Sequence, residues 1–268
     1  MNVFKKLSRP LFLLLAFSPP LMCLAQPSPL LNEGVLKVGI EASYPPFEAF
    51  DLNSNIIGID PDFVMAIAKQ MNVKPDLIDT KFTSLIFGLG KKYDIVISGM
   101  YITPTRQQKA ITIPYMLSGA SIITWNNSVH KPETPDQLCG LNVGLQQGNA
   151  WVTDLKNHST DFCLKKGLPP IHLLEFPTAP EVSQALLSKN VDVQLEIAPA
   201  AKRIVKMSRG RLVITSRQLI YPLPMGIFID KNNPQLGNAV QTALNKMQQN
   251  GQYSAILAKY DLATSHIQ

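Results

Sequence analysis

Residues 35–40 (VLKVGI) alternate in polarity and are rich in β-branched side chains, which predicts a strand. The stretch 41–50 (EASYPPFEAF) loses the alternation, and its prolines predict a loop without regular pairing. Phe63, Ile67 and Met71 recur at helical spacing behind Pro61, a residue suited to a first turn, so residues 60–71 read as a helix. A strand over 73–80 and a helix over 83–92 follow. That helix has Leu85, Ile86 and Leu89 on one face and is weakened by Gly88 and Gly90. A short buried strand at 94–98 (DIVIS) turns at Gly99 into a helix start carrying Arg106. Residues 111–115 and 120–125 read as two extended segments, and the polar stretch 126–135 as a crossing between lobes.

The same alternation then repeats. Strands are predicted at 141–145, 171–176, 191–195 and 212–216, and helices at 150–156, 179–188 and 199–206. An extended stretch, 223–229 (LPMGIFI), leads back towards the first half, and helices at 236–250 and 254–260 close the chain, with Gly251 as a C-cap. Two series of alternating strands and helices predict an α/β fold of two lobes, with a site where strand ends face the cleft. Lobe 1 is expected over residues 26–124 and 226–268, and lobe 2 over 125–225. The two series share a layout but no fixed sequence period.

The start of the chain changes the picture. MNVFKKLSRP carries three positive charges and no acid, and LFLLLAF and PPLMCLA follow. This is the layout of a secretory leader, with a cut expected after Ala25 and the mature protein in the periplasm. The apolar run, broken by Pro19 and Pro20, falls short of the ~20 residues of a membrane span. Cys23 also suits a lipid-anchored precursor, but Pro20, Leu21 and Met22 ahead of it include no small residue; the reading taken is a soluble exported protein.

Losing Lys5, Lys6 and Arg9 lowers the net charge from +6 to +3. No Lys/Arg block remains to suggest nucleic acid as a partner. Cys139 and Cys163 are left, and an even pair in an exported protein predicts a disulfide. Four scattered histidines and these cysteines give no zinc spacing, so no metal is expected, and no cofactor.

Candidate chemistry centres on residues 94–106 (DIVISGMYITPTR). A helix N-terminus offers N–H groups to an anion, and an Arg one turn in adds a two-pronged bond to a carboxylate. Ser98, Thr103 and Arg106 would then surround a carboxylate; the alternative is an ordinary strand–loop–helix with a solvated Arg. Tyr44 and Phe47 either cover the core edge or form a stacking wall over a ligand.

VGIEASYPPFEAFD, IIGIDPDFVMAIAKQMNV, YDIVISGMYITPTRQQ, LNVGLQQGNA and YPLPMGIFIDKNNPQL together resemble, in order, segments of the amino-acid-type periplasmic solute-binding proteins of bacterial ABC importers. The resemblance covers nearly all of the mature chain. It implies two lobes joined by two hinge strands, near residues 122–125 and 223–227, closing on one ligand. It implies an amino acid as ligand, an inner-membrane ABC permease as partner, a monomer, and no catalysis. By position, Arg106 matches the family's carboxylate clamp, Ser98 and Gly99 its backbone neighbours, and Gly148 and Asn149 the amide-bearing turn of lobe 2. Glu41 and Tyr44 match the contacts to the ligand side chain.

Three departures stand out. Tyr101 occupies a position where the family usually has Ser or Thr. Asn149 and Ala150 stand where a Thr often follows the Gly. The acid that takes the ligand's ammonium falls on Ile197 if the segment is aligned on Asp192, or on Glu196 if aligned on the strand end; Glu196 is the expectation carried forward. Glu41, Tyr44 and Glu196 together lean towards a basic amino acid such as arginine or lysine. Two competing readings remain: a dehydratase-like enzyme acting on a carboxylated ring compound, with Glu41 or Glu196 as acid or base, and a sensor module for a carboxylate.

Overall fold

The computed structural model describes residues 29–262. The expected leader, its cut after Ala25, and Cys23 lie outside the described residues. Lobe 1 opens with β1 (Val35–Ile40), a small sheet of β2 (Ser43–Tyr44), β3 (Glu48–Phe50) and β4 (Ile56–Ile57), then α1 (Ile59–Met71), β5 (Lys74–Asp79), β6 (Ile95–Val96) and the single-turn α2 (Pro104–Gln107). The long β7 (Ala110–Trp125) leads into lobe 2: β8 (Asn142–Gln146), α3 (Trp151–His158), β9 (His172–Phe176), α4 (Ala179–Leu187), β10 (Val193–Ile197), α5 (Ala198–Met207) and β11 (Leu212–Ile214). The second long strand, β12 (Ile220–Asp230), returns to lobe 1, which ends with α6 (Pro234–Gln249) and α7 (Gln252–Lys259).

The main sheet runs β5-β1-β6-β12-β7-β10-β8-β9, with β11 on β7. β1 lies parallel to β5 and β6, and β8 parallel to β9 and β10. β7 belongs to both halves. Its first part pairs antiparallel with β12, from Ala110↔Asp230 to Ser118↔Leu223, and its second part with β10, from Ala120↔Ile197 to Thr124↔Val193. The β12 register shifts between Ile220 and Leu223, where the two lobes meet. In lobe 1, α1, α6 and α7 close over Leu36, Val38, Ile95 and Ile229 with Phe63, Ile67, Val240 and Leu257. In lobe 2, Trp151 and Leu155 of α3 bury against Val143, Leu145 and Val193, while Leu186 of α4 and Ala201 of α5 bury on Ile123.

Cys139 and Cys163 form a disulfide, S–S 2.03 Å, across 24 residues of lobe 2. It ties the turn before β8 to helical turns at residues 159–166 that extend α3 and that the sequence pattern did not signal.

Elsewhere the structure corrects the reading. Residues 83–92 form no helix but two single turns, Phe82–Ser84 and Ile86–Gly88. The Leu85 carbonyl, which a helix would bond to Leu89, accepts instead from the buried Tyr93 hydroxyl at 2.6 Å. Residues 41–50 do pair: both prolines sit in the turn of the β2–β3 hairpin, closed by the Phe47 N–H on the Tyr44 carbonyl at 2.9 Å, and the Pro45–Pro46 bond is cis. β7 is continuous where two segments were expected, because Pro114 is exposed and pairs Gly226 at a second register shift, where its missing N–H is tolerated. Gly58, at φ 144°, starts α1 where a Cβ would lie 2.1 Å from the Phe47 carbonyl oxygen.

Candidate functional site

The carboxyl ends of β1, β6, β8 and β10 converge between the lobes, where α/β folds place ligands. They enclose a chamber lined by Tyr44, Phe82, Gly99, Tyr101, Arg106, Gln146, Asn149, Ala150 and Ile197. With the lobes closed on each other it measures ≈10 Å³, room for about one water. Beyond Arg106 it continues into a wider groove of ≈620 Å³, lined among others by Phe82, Thr103, Lys109, Gly148 and Asp154.

Four contacts cross from lobe to lobe around the chamber. The Glu41 carboxylate accepts from the Gln146 amide at 2.7 Å. The Tyr44 hydroxyl donates to the Glu196 carboxylate. The Arg106 guanidinium donates to the Gly148 carbonyl at 2.8 Å. The Tyr101 ring lies on Trp151, centroids 5.1 Å apart.

Arg106 is set up locally. Thr103 caps α2 by accepting the Arg106 N–H at 3.3 Å. The guanidinium donates a second bond to the Tyr101 carbonyl at 2.6 Å and rests 5.5 Å over the Phe82 ring. Burial pulls its pKa down to about 10, which leaves it charged at neutral pH. Both acceptors are neutral carbonyls, so among the described residues the cation pairs with no anion, and its remaining N–H groups are open to a carboxylate. The helix behind it has one turn only, so the N–H array expected from a longer helix contributes little.

The other expected residues divide by what they touch. Gly148 and Asn149 form the lobe-2 turn facing Arg106, with the Asn149 side chain accepting the Trp151 N–H at the start of α3, 2.9 Å. Gly99 lines the chamber and Ser98 stands beside it, but the Gly99 N–H and the Ser98 hydroxyl serve lobe 1. The Ser98 hydroxyl accepts from the Glu41 N–H and donates to Glu48, both at 2.9 Å, and the Gly99 N–H donates to Asp60 at 2.6 Å. Phe47 is fully buried behind Tyr44, stacked at 5.5 Å, and supports the wall rather than lining it. Tyr101 fills the chamber floor and is 2% exposed. Glu41 has both oxygens engaged, the second by the Phe82 N–H at 3.2 Å, and burial raises its pKa.

Glu196 also lies at the cleft. Its carboxylate takes the Tyr44 hydroxyl, the Gln194 amide at 3.0 Å and the Ile197 N–H at 2.8 Å. Burial pushes its pKa up to about 7. Ile197, its neighbour on β10, is the one that lines the chamber.

Sequence reasoning missed Phe82 and Gln146 as lining residues. Phe82 falls between the strand expected over 73–80 and the helix expected over 83–92, and Gln146 sits one position past the predicted strand end. It also missed Glu48 and Asp60, two fully buried carboxyls under Gly99: burial raises both pKa values, Asp60 to about 6, and the neighbouring Asp60 charge raises Glu48 further. Tyr115 donates to Asp60 at 2.7 Å.

With this geometry in hand, comparison with known proteins defines the class. The family described as bacterial extracellular solute-binding proteins, family 3, matches residues 36–263, and the chain belongs to it. It is 27% identical to the L-cystine-binding protein TcyJ of Escherichia coli over 241 residues, 86% of this chain and 85% of that protein. Its fold is similar to that of an ancestral arginine-binding protein bound to arginine, with TM-score 0.75 and 30% identity over 85% of this chain and 98% of the other. It is also similar to the ancestral amino-acid-binding protein AncCDT-1, a precursor of cyclohexadienyl dehydratase, with TM-score 0.71 and 30% identity over 85% and 95% of the two chains. These neighbours share the two-lobed α/β architecture described above.

Proposed function

We propose that this protein is the periplasmic solute-capturing component of an amino-acid-type ABC importer, and that it holds its solute by a carboxylate on Arg106. The observation that carries the reading is Arg106 itself: a partly buried cation between the lobes whose hydrogen bonds among the described residues reach only carbonyl oxygens. A carboxylate entering from the groove would meet the free N–H groups of Arg106 on one side and the Gly148–Asn149 turn on the other. Tyr44, Phe82 and Tyr101 would wall the rest of the solute. A basic side chain, if present, would reach Glu41 only by displacing Gln146 or the Phe82 N–H from its carboxylate. Entry requires the lobes to part about β7 and β12, with lobe 1 over 26–124 and 226–268 and lobe 2 over 125–225. Closure then presents a surface from both lobes to an inner-membrane permease, with the protein acting as a monomer. The leader sequence and the family's extracellular character support export.

The site is read as binding without turnover. The likeness to AncCDT-1, itself an amino-acid-binding protein, is compatible with that. The test is a thermal-shift panel on unfolded and refolded protein: the twenty amino acids, common polyamines and small carboxylates. A ligand at ~100 times its dissociation constant adds ~2.7 kcal/mol to stability, a readable rise in melting temperature. Shifts confined to compounds with a carboxylate support the clamp; a shift with polyamines alone contradicts it.

A further inference from the structure

Alternation along β10 puts Gln194 and Glu196 on one face, and Val193, Leu195 and Ile197 on the other. The Glu196 face is closed off. Its carboxylate is bonded to Gln194, to the Ile197 N–H and to Tyr44, and Gln194 in turn accepts from Ser183 of α4 at 3.0 Å. The opposite face delivers Ile197 into the chamber, among Tyr44, Phe82, Tyr101 and Ala150. Arg106 is the only formally charged residue of the lining; Glu41 reaches no further than Gln146 and the Phe82 N–H.

An α-ammonium lies one carbon from its carboxylate. A solute held by Arg106 would therefore carry that ammonium within the chamber, where the polar neighbours other than Arg106 are the uncharged side chains of Gln146, Asn149, Tyr44 and Tyr101 and no carboxylate is among the lining residues. A buried charge without a partner is strongly disfavoured. Resting on the Arg106 clamp proposed above, we infer that Ile197 sets the solute's chemistry at the α-carbon and selects carboxylates that carry no α-ammonium there: 2-oxo acids, 2-hydroxy acids or unsubstituted carboxylates of amino-acid shape. Glu196, which lies on the other face of the strand and is tied to Tyr44, Gln194 and the Ile197 N–H, is a closure residue and not the ammonium acceptor.

The test is calorimetric titration of the refolded protein with matched sets that differ only at the α-carbon: leucine, phenylalanine and glutamate, each beside its 2-oxo and 2-hydroxy counterpart. In the set that binds best, the oxo or hydroxy member should bind at least ~10-fold tighter than the amino acid, and Ile197→Asp should reverse that order. Equal or tighter binding of the amino acid by the unaltered protein overturns the inference, whether or not the variant folds. Arg106→Ala separates this from the clamp reading. If the amino acid wins and Arg106→Ala abolishes its binding, only the Ile197 assignment fails. If Arg106→Ala binds as the unaltered protein does, or if no carboxylate in the sets binds, the clamp itself is wrong and the inference falls with it.

Discussion

The Tyr44 hydroxyl of lobe 1 donates to the buried Glu196 carboxylate of lobe 2, and the Tyr44 ring is backed by Phe47 at 5.5 Å. One side chain thus walls the chamber and fastens the lobes. Tyr44→Phe keeps the ring and the stack while deleting the donor. A hydrogen bond to a charged group contributes ~1.5–3 kcal/mol, so the closed form should lose about that much. Small-angle scattering should show a larger radius of gyration for the variant without solute. An unchanged radius would mean that the bond does not hold the lobes together.

The pH dependence of stability follows from the same carboxylate. Burial raises Glu196 from 4.5 to about 7, and Asp60 and Glu48 are raised as well. Between the ordinary and the raised values the folded chain binds more protons than the unfolded one, so stability falls as pH rises across that window. The melting temperature should drop from pH 5 to pH 7.5. Glu196→Gln, which is neutral throughout, should reduce the drop. A melting temperature that climbs over this range in the unaltered protein would reverse the sign and refute the account of these buried acids.

Much of this was legible in the sequence, and the exceptions have physical reasons. β1, α1 and the second strand–helix series were readable because their burial follows local periodicity. Arg106 was readable because a Thr-Pro helix start fixes its place. The role of Phe82 was not, because Tyr93, eight residues downstream of Leu85, takes over the carbonyl that a helix would use. Nor was the direction of Glu196 legible. A one-residue change of register swaps it with Ile197, and only the pairing of Glu196 with Ser121 on β7 fixes which faces the chamber.

Gly99 gives a steric test of the central loop. Its φ is +51°, and a Cβ there would lie 3.1 Å from the Tyr44 ring. Gly99→Ala should therefore cost ~1 kcal/mol or more of stability through the backbone alone. It should also push Tyr44 from Glu196 and weaken solute binding. Denaturant melts paired with titration would separate the two effects; binding equal to that of the unaltered protein would show that Tyr44 is not constrained by this contact.

The Cys139–Cys163 bond closes a 24-residue separation, for which loop-closure entropy gives roughly 3 kcal/mol. Cys139→Ser with Cys163→Ser should lower the midpoint of denaturation accordingly. Because neither cysteine lines the chamber or the groove, solute affinity should be nearly unchanged where both forms are folded. A large loss of affinity would mean that the disulfide shapes the Gly148–Asn149 turn.

Everything proposed for the site depends on Arg106 holding the solute's carboxylate. The most direct measurement is calorimetric titration of Arg106→Ala and Arg106→Lys with whichever carboxylate shifts the melting temperature most. Truncating one partner of a buried charged pair costs ~2–5 kcal/mol, so Arg106→Ala should lose most of the affinity. Arg106→Lys, a point charge without the planar fork, should recover only part of it. Affinity in Arg106→Ala equal to that of the unaltered protein would contradict the carboxylate clamp.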